Sequence, residues 1–162
     1  MNTMAKWICI LCAFFATYMP AETIRVFAVN TGSATRYGDF AADTNTGDWY
    51  GLDGATNLAE LEGAAPTEIY QTLKYNPSAL SYTVTPLQPG GTYTLRMHYN
   101  DAWTDHTFSL SLNGTQIESS FNPYVEAGYR TQYAVIREYP VQIPDDGILN
   151  IAFARAGGGC GR

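Results

Sequence analysis

The sequence is poor in cysteine and in positive charge. Its 162 residues include three cysteines, nine lysines and arginines, and two histidines. Cys9 and Cys12 lie in an apolar N-terminal stretch, so the rest of the chain has only Cys160, which cannot form an internal disulfide. Cys160 is left as a free thiol or an intermolecular link. The net charge of −6 provides no basic stripe for a phosphate backbone, which argues against nucleic acid as a partner.

Long apolar runs are absent after the first 21 residues. Within those residues Lys6 precedes the run WICILCAFFATYM, which ends at Pro20 and Ala21, a pattern typical of a secretory signal peptide. The run is shorter than the roughly 18 apolar residues that a membrane span needs. We therefore predict a signal peptide over residues 1–21, cleaved near Ala21, and a secreted or extracytoplasmic mature chain without a membrane span. The alternative is an uncleaved anchor.

Motifs for catalysis and metal binding are also missing. The chain has no GxSxG nucleophile elbow, no phosphate-binding loop and no HExxH, and neither His98 nor His106 has metal-ligand spacing. Glycoside hydrolysis needs two carboxylates held about 5 to 10 Å apart, but loop aspartates occur in any acidic, loop-rich chain. We expect no enzyme activity and no cofactor. Binding of a structural calcium ion is left open, although the sequence has no DxDxDG pattern to support it. His98 is expected on the solvent face of a strand.

The sequence is rich in short segments with alternating apolar residues. Leu80, Tyr82 and Val84 alternate with polar residues, TYTLRMHY does the same, and Asn113-Gly114 is typical of a tight hairpin. These features predict one all-β sandwich domain over residues 22–156, followed by a glycine-rich tail at 157–162. Residues 34–66 lack periodicity, apart from ATNLAELEG, where a short helix is predicted.

Several segments follow one another in an order that resembles a known family. They are VFAVNTGS, IYQTLKYN, SYTVTPLQPGGTYTLRMHYND, TFSLSLNG and the stretch from FNPYVEAG to ILNIAFA. Over residues 24–154 this order resembles the malectin and malectin-like carbohydrate-binding domains. The resemblance implies a jelly-roll (galactose-binding-like) β-sandwich with a non-catalytic sugar site built from loops.

The resemblance also implies the residues of that site and one departure from the family. The implied sugar-binding aromatics are Tyr50, Tyr75 and Trp103, with Thr104 at a position where the family can place a second aromatic residue. In the family a further strand, preceded by a sugar-binding aspartate, usually follows the last strand recognised here. We expect the sheet to lack this strand and therefore to have an unpaired edge that favours self-association.

The chemistry of the residues supports a sugar site independently. Aromatic residues make up 14% of the chain, with 12 tyrosines and 3 tryptophans. A pyranose packs one face of C–H groups on a flat ring while its hydroxyls need polar partners around the edge. Trp103 lies in a polar segment between Asp101 and Asp105, which are candidates for that edge together with Asn76 and His106. Tyr75 is left open between ligand contact and packing, and Tyr70 is expected in the core.

The sequence therefore predicts a secreted, non-catalytic carbohydrate-binding module whose loop aromatics stack on a gluco-configured oligosaccharide. One alternative is an extracellular structural or adhesive module that binds protein, with self-association through the unpaired edge or Cys160. Another is a module detached from a glycoside hydrolase.

Overall fold

The fold is built mainly from β-strands, in a computed structural model that describes residues 6–9, 24–45, 48–52, 56–58, 61–75 and 79–156. The strands are β1 (Lys6–Cys9), β2 (Ile24–Phe27), β3 (Val29–Asn30), β4 (Ala41–Ala42), β5 (Asp48–Gly51), β6 (Thr72–Tyr75), β7 (Ala79–Val84), β8 (Thr92–Tyr99), β9 (Phe108–Leu112), β10 (Thr115–Phe121), β11 (Val135–Gln142) and β12 (Leu149–Arg155). The described helices are a 3₁₀ helix at Thr67–Gln71 and the single turn α1 (Pro123–Glu126), and neither has the length to cross a membrane.

Two four-stranded sheets form the sandwich, with strand orders β11-β8-β1-β2 and β10-β9-β12-β7. The second sheet is antiparallel throughout, whereas β1 runs parallel to both of its neighbours in the first sheet. Two smaller pairs, β3-β4 and the antiparallel ribbon β5-β6, lie outside these sheets. The expected all-β class and jelly-roll sandwich fold are confirmed.

The core between the sheets follows from the alternation seen in the sequence. Tyr93, Leu95, Met97 and Tyr99 of β8 are all buried, and they belong to one cluster with residues of the facing sheet, including Leu110, Leu112, Leu149 and Ile151. Removing each such side chain from water stabilises the fold by about 1.5 to 3 kcal/mol. The buried residues are two positions apart because successive strand residues point to opposite faces.

The opposite face of β8 is buried as well, so the expectation that His98 faces solvent is wrong. His98 is 1% exposed, and its Nδ1 atom shares a hydrogen bond with the Tyr70 hydroxyl. That hydroxyl also accepts a 3.2 Å bond from the Ala65 backbone N–H. Tyr70 belongs to a second buried cluster with Ile69 and Phe40, which confirms its predicted place in the core. Residues from the aperiodic part of the chain thus cover a face that simple alternation assigns to solvent.

The predicted helix in ATNLAELEG is not found among its described residues. Asn57 instead forms a β-bridge with Tyr133, in which its N–H donates to the carbonyl of Gln132 at 2.9 Å and its carbonyl accepts from the N–H of Ala134 at 3.3 Å. These bonds use the backbone groups that a helix would need. The helical turn lies further along the chain, at Thr67–Gln71.

The predicted hairpin at Asn113-Gly114 is confirmed. The two residues connect β9 to β10 with φ angles of 47° and 79°, which is the left-handed backbone of a tight two-residue turn.

Part of the expected signal peptide lies within the described residues. The backbone of β1 pairs Lys6 with Tyr93 of β8 on one side and with Ile24 of β2 on the other. The cleavage near Ala21 stays a prediction.

Gly32 fixes the turn after β3 against the backbone of β6. Its φ of +78° is left-handed, and a Cβ at this position would lie 2.5 Å from both the carbonyl carbon and the oxygen of Leu73. Only glycine fits so close to another strand's backbone, since a Cβ could not be accommodated without separating the two segments.

We expect Gly32→Ala to destabilise the protein more than Gly38→Ala. Gly38 has a φ of +54°, but a Cβ added to it would meet no atom within 4 Å, so it is a control for the backbone penalty of about 1 to 2 kcal/mol. The overlap with Leu73 should add about 1 to 3 kcal/mol at Gly32. Urea unfolding of the two variants measures the difference. Equal losses would show that β6 moves aside freely.

Candidate functional site

A cavity of about 170 Å³ opens at one end of the sandwich. Its apolar lining includes Leu80, Tyr99, Phe108 and Phe153, and its polar lining includes Lys74, Asn100, Asp101, Asp105, His106 and Arg155. Such a combination of apolar surface and a few polar groups is the usual composition of a small-molecule site.

Strand register brings these residues together. The carboxyl end of β12 meets the start of two antiparallel neighbours, with Arg155 opposite Phe108 of β9 and Ala154 opposite Ala79 of β7. The segment from 100 to 107 leaves β8 and returns into β9 at this same end. One end of the sandwich therefore holds the cavity and the loop in which sequence reasoning placed the sugar site.

Asp101 organises that loop from within. Its carboxylate is 6% exposed and accepts a 2.9 Å bond from the Trp103 backbone N–H and another 2.9 Å bond from His106 Nδ1. Because an ionised carboxylate only accepts, Nδ1 of His106 carries the shared proton. The Asp101 carbonyl accepts from the Gln132 N–H at 2.7 Å. Asp101 thus fixes the positions of Trp103 and His106 in this loop.

The Trp103 ring is held beside the cavity while remaining accessible. It is 41% exposed, and its centroid lies 5.2 Å from that of the His106 ring at an interplanar angle of 41°. The exposed Trp103 ring therefore packs against a cavity-lining residue. Its contact with a ligand stays a prediction.

The hydrogen bond to Asp101 raises the pKa of His106, against the opposing effect of partial burial. The charges of Asp101 and Asp105 act in the same direction as the hydrogen bond. His106 therefore retains its positive charge to a higher pH than an ordinary histidine.

A second buried carboxylate, that of Asp43, contacts two residues that line the cavity, Lys74 and Tyr82. Asp43 is 2% exposed at its side chain and lies 3.3 Å from the Lys74 ammonium. It also accepts bonds from the Gly32 N–H at 2.9 Å and the Tyr82 hydroxyl at 3.1 Å. Burial, followed by the Asp43 charge, raises the pKa of the Tyr82 phenol. Lys74 and Tyr82 line the cavity, so Asp43 ties its wall to the turn after β3.

The six predicted ligand-binding residues occupy three places. Asp101 and Asp105 line the cavity, and Trp103 and Thr104 are exposed on the same loop. Tyr50 and Tyr75 belong to the β5-β6 ribbon, so the expectation that they lie in loops is wrong for their backbone. Tyr50 pairs with Leu73, and Tyr75 follows Lys74; Leu73 and Lys74 both line the cavity. The side chains of both tyrosines, and Asn76 as a whole, lie outside the described residues.

Sequence reasoning missed several lining residues. Lys74, Asn100 and Arg155 were not predicted as site residues, and Tyr82, which packs against the core cluster, also lines the cavity. Asn100 keeps its amide in place by donating to Thr56 Oγ1 at 2.7 Å and to the Tyr70 carbonyl at 3.0 Å. These contacts join residues far apart in the chain, and no local pattern could have indicated them. Within the described residues, no group of three or more His, Cys, Asp or Glu could hold a metal ion.

Fold and site together define a class: a β-sandwich binding domain of the carbohydrate-binding-like type, with a concave site at one end. The chain belongs to the malectin domain family, whose model matches residues 25–160. No curated protein matches the sequence.

Solved structures with the same fold come from plants and bacteria. The extracellular domain of ANXUR1 from Arabidopsis thaliana has a TM-score of 0.71 and 14% identity over 82% of this chain and 43% of that one. The structure of the plant peptide RALF23 in complex with FER and LLG2 matches with a TM-score of 0.62 and 17% identity, over 80% of this chain and 42% of that one. Bacteroides uniformis beta-glucuronidase 2 matches with a TM-score of 0.55 and 24% identity, over 83% of this chain and 16% of that one. This chain thus spans less than half of each neighbour, and the likeness shows the fold.

We expect the stability contributed by His106 to depend on pH. The pKa of His106 is raised by folding from an ordinary value of 6.5, so its contribution is fully present below that value and is lost as pH rises through the raised pKa. The free-energy difference between the parent and His106→Gln should therefore be larger near about pH 5.5 than near about pH 8.5. Urea unfolding at the two pH values measures it. A difference that does not change with pH would contradict the charged His106–Asp101 pair.

Proposed function

We propose that the cavity and the Trp103 rim bind a carbohydrate, and that the protein is a secreted module without catalysis of its own. The observation that carries the proposal is the 41% exposed Trp103 ring, which packs against His106, a residue that lines a cavity with apolar and polar groups. A sugar ring needs this combination, because it has one apolar face and hydroxyls around its edge.

Four hydrogen bonds hold the loop that carries Trp103. The Trp103 N–H, the His106 ring and the Gln132 N–H are all bonded to Asp101, and the Thr104 carbonyl accepts from Asn122 Nδ2 at 3.1 Å. Ordering a loop on binding costs free energy, so a loop that is already ordered binds more tightly for the same contacts.

Each residue then has a distinct role in the proposal. Trp103 stacks on the sugar, and Asp105 and His106 form hydrogen bonds with its hydroxyls. The main role of Asp101 is to position Trp103 and His106. Tyr50 and Tyr75 of the β5-β6 ribbon are assigned to a second ring of a gluco-configured oligosaccharide from their positions in the family. An open site of this kind gives affinities of about micromolar to millimolar.

The geometry of the carboxylates favours binding over hydrolysis. Asp101 and Asp105 both line the cavity, but the Asp101 carboxylate is already committed to the Trp103 N–H and to His106. A glycosidase needs both carboxylates available to the scissile bond. A carboxylate used to fold its own loop serves as a structural anchor instead.

We expect Trp103→Ala to weaken glycan binding by about five- to twelvefold, because a stacked ring contributes on the order of 1 to 1.5 kcal/mol. A glycan array identifies the sugar, and calorimetric titration of the best hit compares the variants. Tyr129→Ala is the matched control, because Tyr129 is 68% exposed and does not line the cavity.

Either of two results would overturn the proposal. One is a folded protein that binds no glycan on the array, and the other is an equal loss of affinity in Trp103→Ala and Tyr129→Ala. Release of reducing sugar by the wild-type protein that disappears in Asp105→Asn would replace binding with hydrolysis.

A further inference from the structure

The first sheet contains a position one strand wide between β8 and β2. β8 and β2 do not bond to each other, because β1 lies between them and pairs with both. Lys6, Trp7, Ile8 and Cys9 pair in parallel with Tyr93, Thr94, Leu95 and Arg96, respectively. The same segment pairs in parallel with β2, from Ile24 to Phe27.

This position is buried on the side of β8. On β8, Leu95 and Met97 point into the core between the sheets, while Arg96 and His98 are buried against the other face. Next to β8 a strand is therefore covered on both faces, whereas Val26 of β2 is 42% exposed. Strands covered on both faces are apolar at consecutive positions. Trp7 and Ile8 supply that composition in sequence.

The outer edge of the same sheet is built differently. β11 has Pro140 opposite Thr94, and the neighbouring residues Arg137 and Glu138 are charged. Proline and charge are the usual devices by which an edge strand avoids pairing with another chain. The segment of β8 that faces β1 has no proline over Tyr93–Arg96, and its backbone groups need a partner.

Secretion, as proposed above, would remove this partner. Cleavage near Ala21 would take away all of β1 but leave β2 and β8, so both would lose the partner described here. Buried N–H and C=O groups without partners are costly, so a strand that pairs with β2 and β8 in place of β1 stabilises the sheet.

We propose that the position between β8 and β2 is an acceptor site for an extended, apolar peptide strand. Lys6–Cys9 fills it from within the chain, and a separate strand of the same chemistry fills it after residues 1–21 are removed. The binding of a separate strand rests on the proposed secretion, whereas the pairing of Lys6–Cys9 does not. Main-chain bonds to both neighbours supply affinity, and the two covered faces select large apolar side chains.

The test uses the full chain. Trp7→Pro/Ile8→Pro removes donors from β1, and Trp7→Phe/Ile8→Val is the matched control that keeps an apolar strand. The probe is a fluorescein-labelled peptide that copies residues 5–11 with serine in place of Cys9. We expect saturable binding to the proline variant, at least tenfold weaker binding to the parent and the control, and slower hydrogen exchange at Tyr93–Arg96 when the peptide is bound.

A folded proline variant that does not bind the peptide, or whose Tyr93–Arg96 amides are as protected as in the parent without peptide, would overturn the proposal. Should the variant fail to fold, cross-linking decides. A full chain with Trp7→Cys and Thr94→Cys, and with serines at its native cysteines, should form an internal disulfide, and the corresponding chain with Ile8→Cys and Thr94→Cys should form less of it. Equal or absent cross-linking overturns the register.

Two further measurements separate this proposal from the proposed function. Intact mass of the exported protein tests cleavage near Ala21 alone. Glycan titration of the Thr94→Cys chain tests the sugar site alone, since Thr94 does not line the cavity.

Discussion

The buried carboxylate of Asp43 is the interaction on which the site's architecture depends. It accepts from the Gly32 N–H and the Tyr82 hydroxyl and pairs with Lys74, so one side chain joins the turn after β3 to β6 and β7. A buried charge is tolerated only when its neighbours replace the lost water. The three partners meet that requirement together, and the ribbon that carries Tyr50 and Tyr75 is anchored through Lys74 as a result.

Asp101 has the corresponding role on the other side of the cavity. Both carboxylates are turned inward and committed to backbone or side-chain donors, whereas Asp105 and Trp103 are exposed. The acidic residues near the cavity thus divide into those that build it and those that a ligand can reach. This division explains how a cavity can be fixed in shape and still present polar groups to solvent.

The sandwich could be predicted from sequence because alternation and turn residues are local signals. β8 and the Asn113-Gly114 hairpin follow from them directly. His98 could not be placed, because its burial depends on Tyr70, which reaches it from 28 residues away in the chain. The same holds for Lys74 and Tyr82, whose common partner Asp43 lies in a segment without periodicity. The loop beside the cavity could be singled out from sequence because a lone aromatic residue, Trp103, among polar neighbours is itself a local signal. Asp101 and Asp105 of that loop line the cavity, and ligand binding by the three residues stays a prediction.

The parallel pairing of Lys6 with Tyr93 also has a kinetic consequence. Contacts between residues so far apart in sequence form slowly, because the intervening chain must first be ordered, whereas the β9-β10 hairpin closes over two residues. The segment Lys6–Cys9 is therefore among the last to take its place in the sheet. If residues 1–21 are removed as proposed, their removal competes with the insertion of β1, and the relative rates of cleavage and folding decide whether β1 occupies the position.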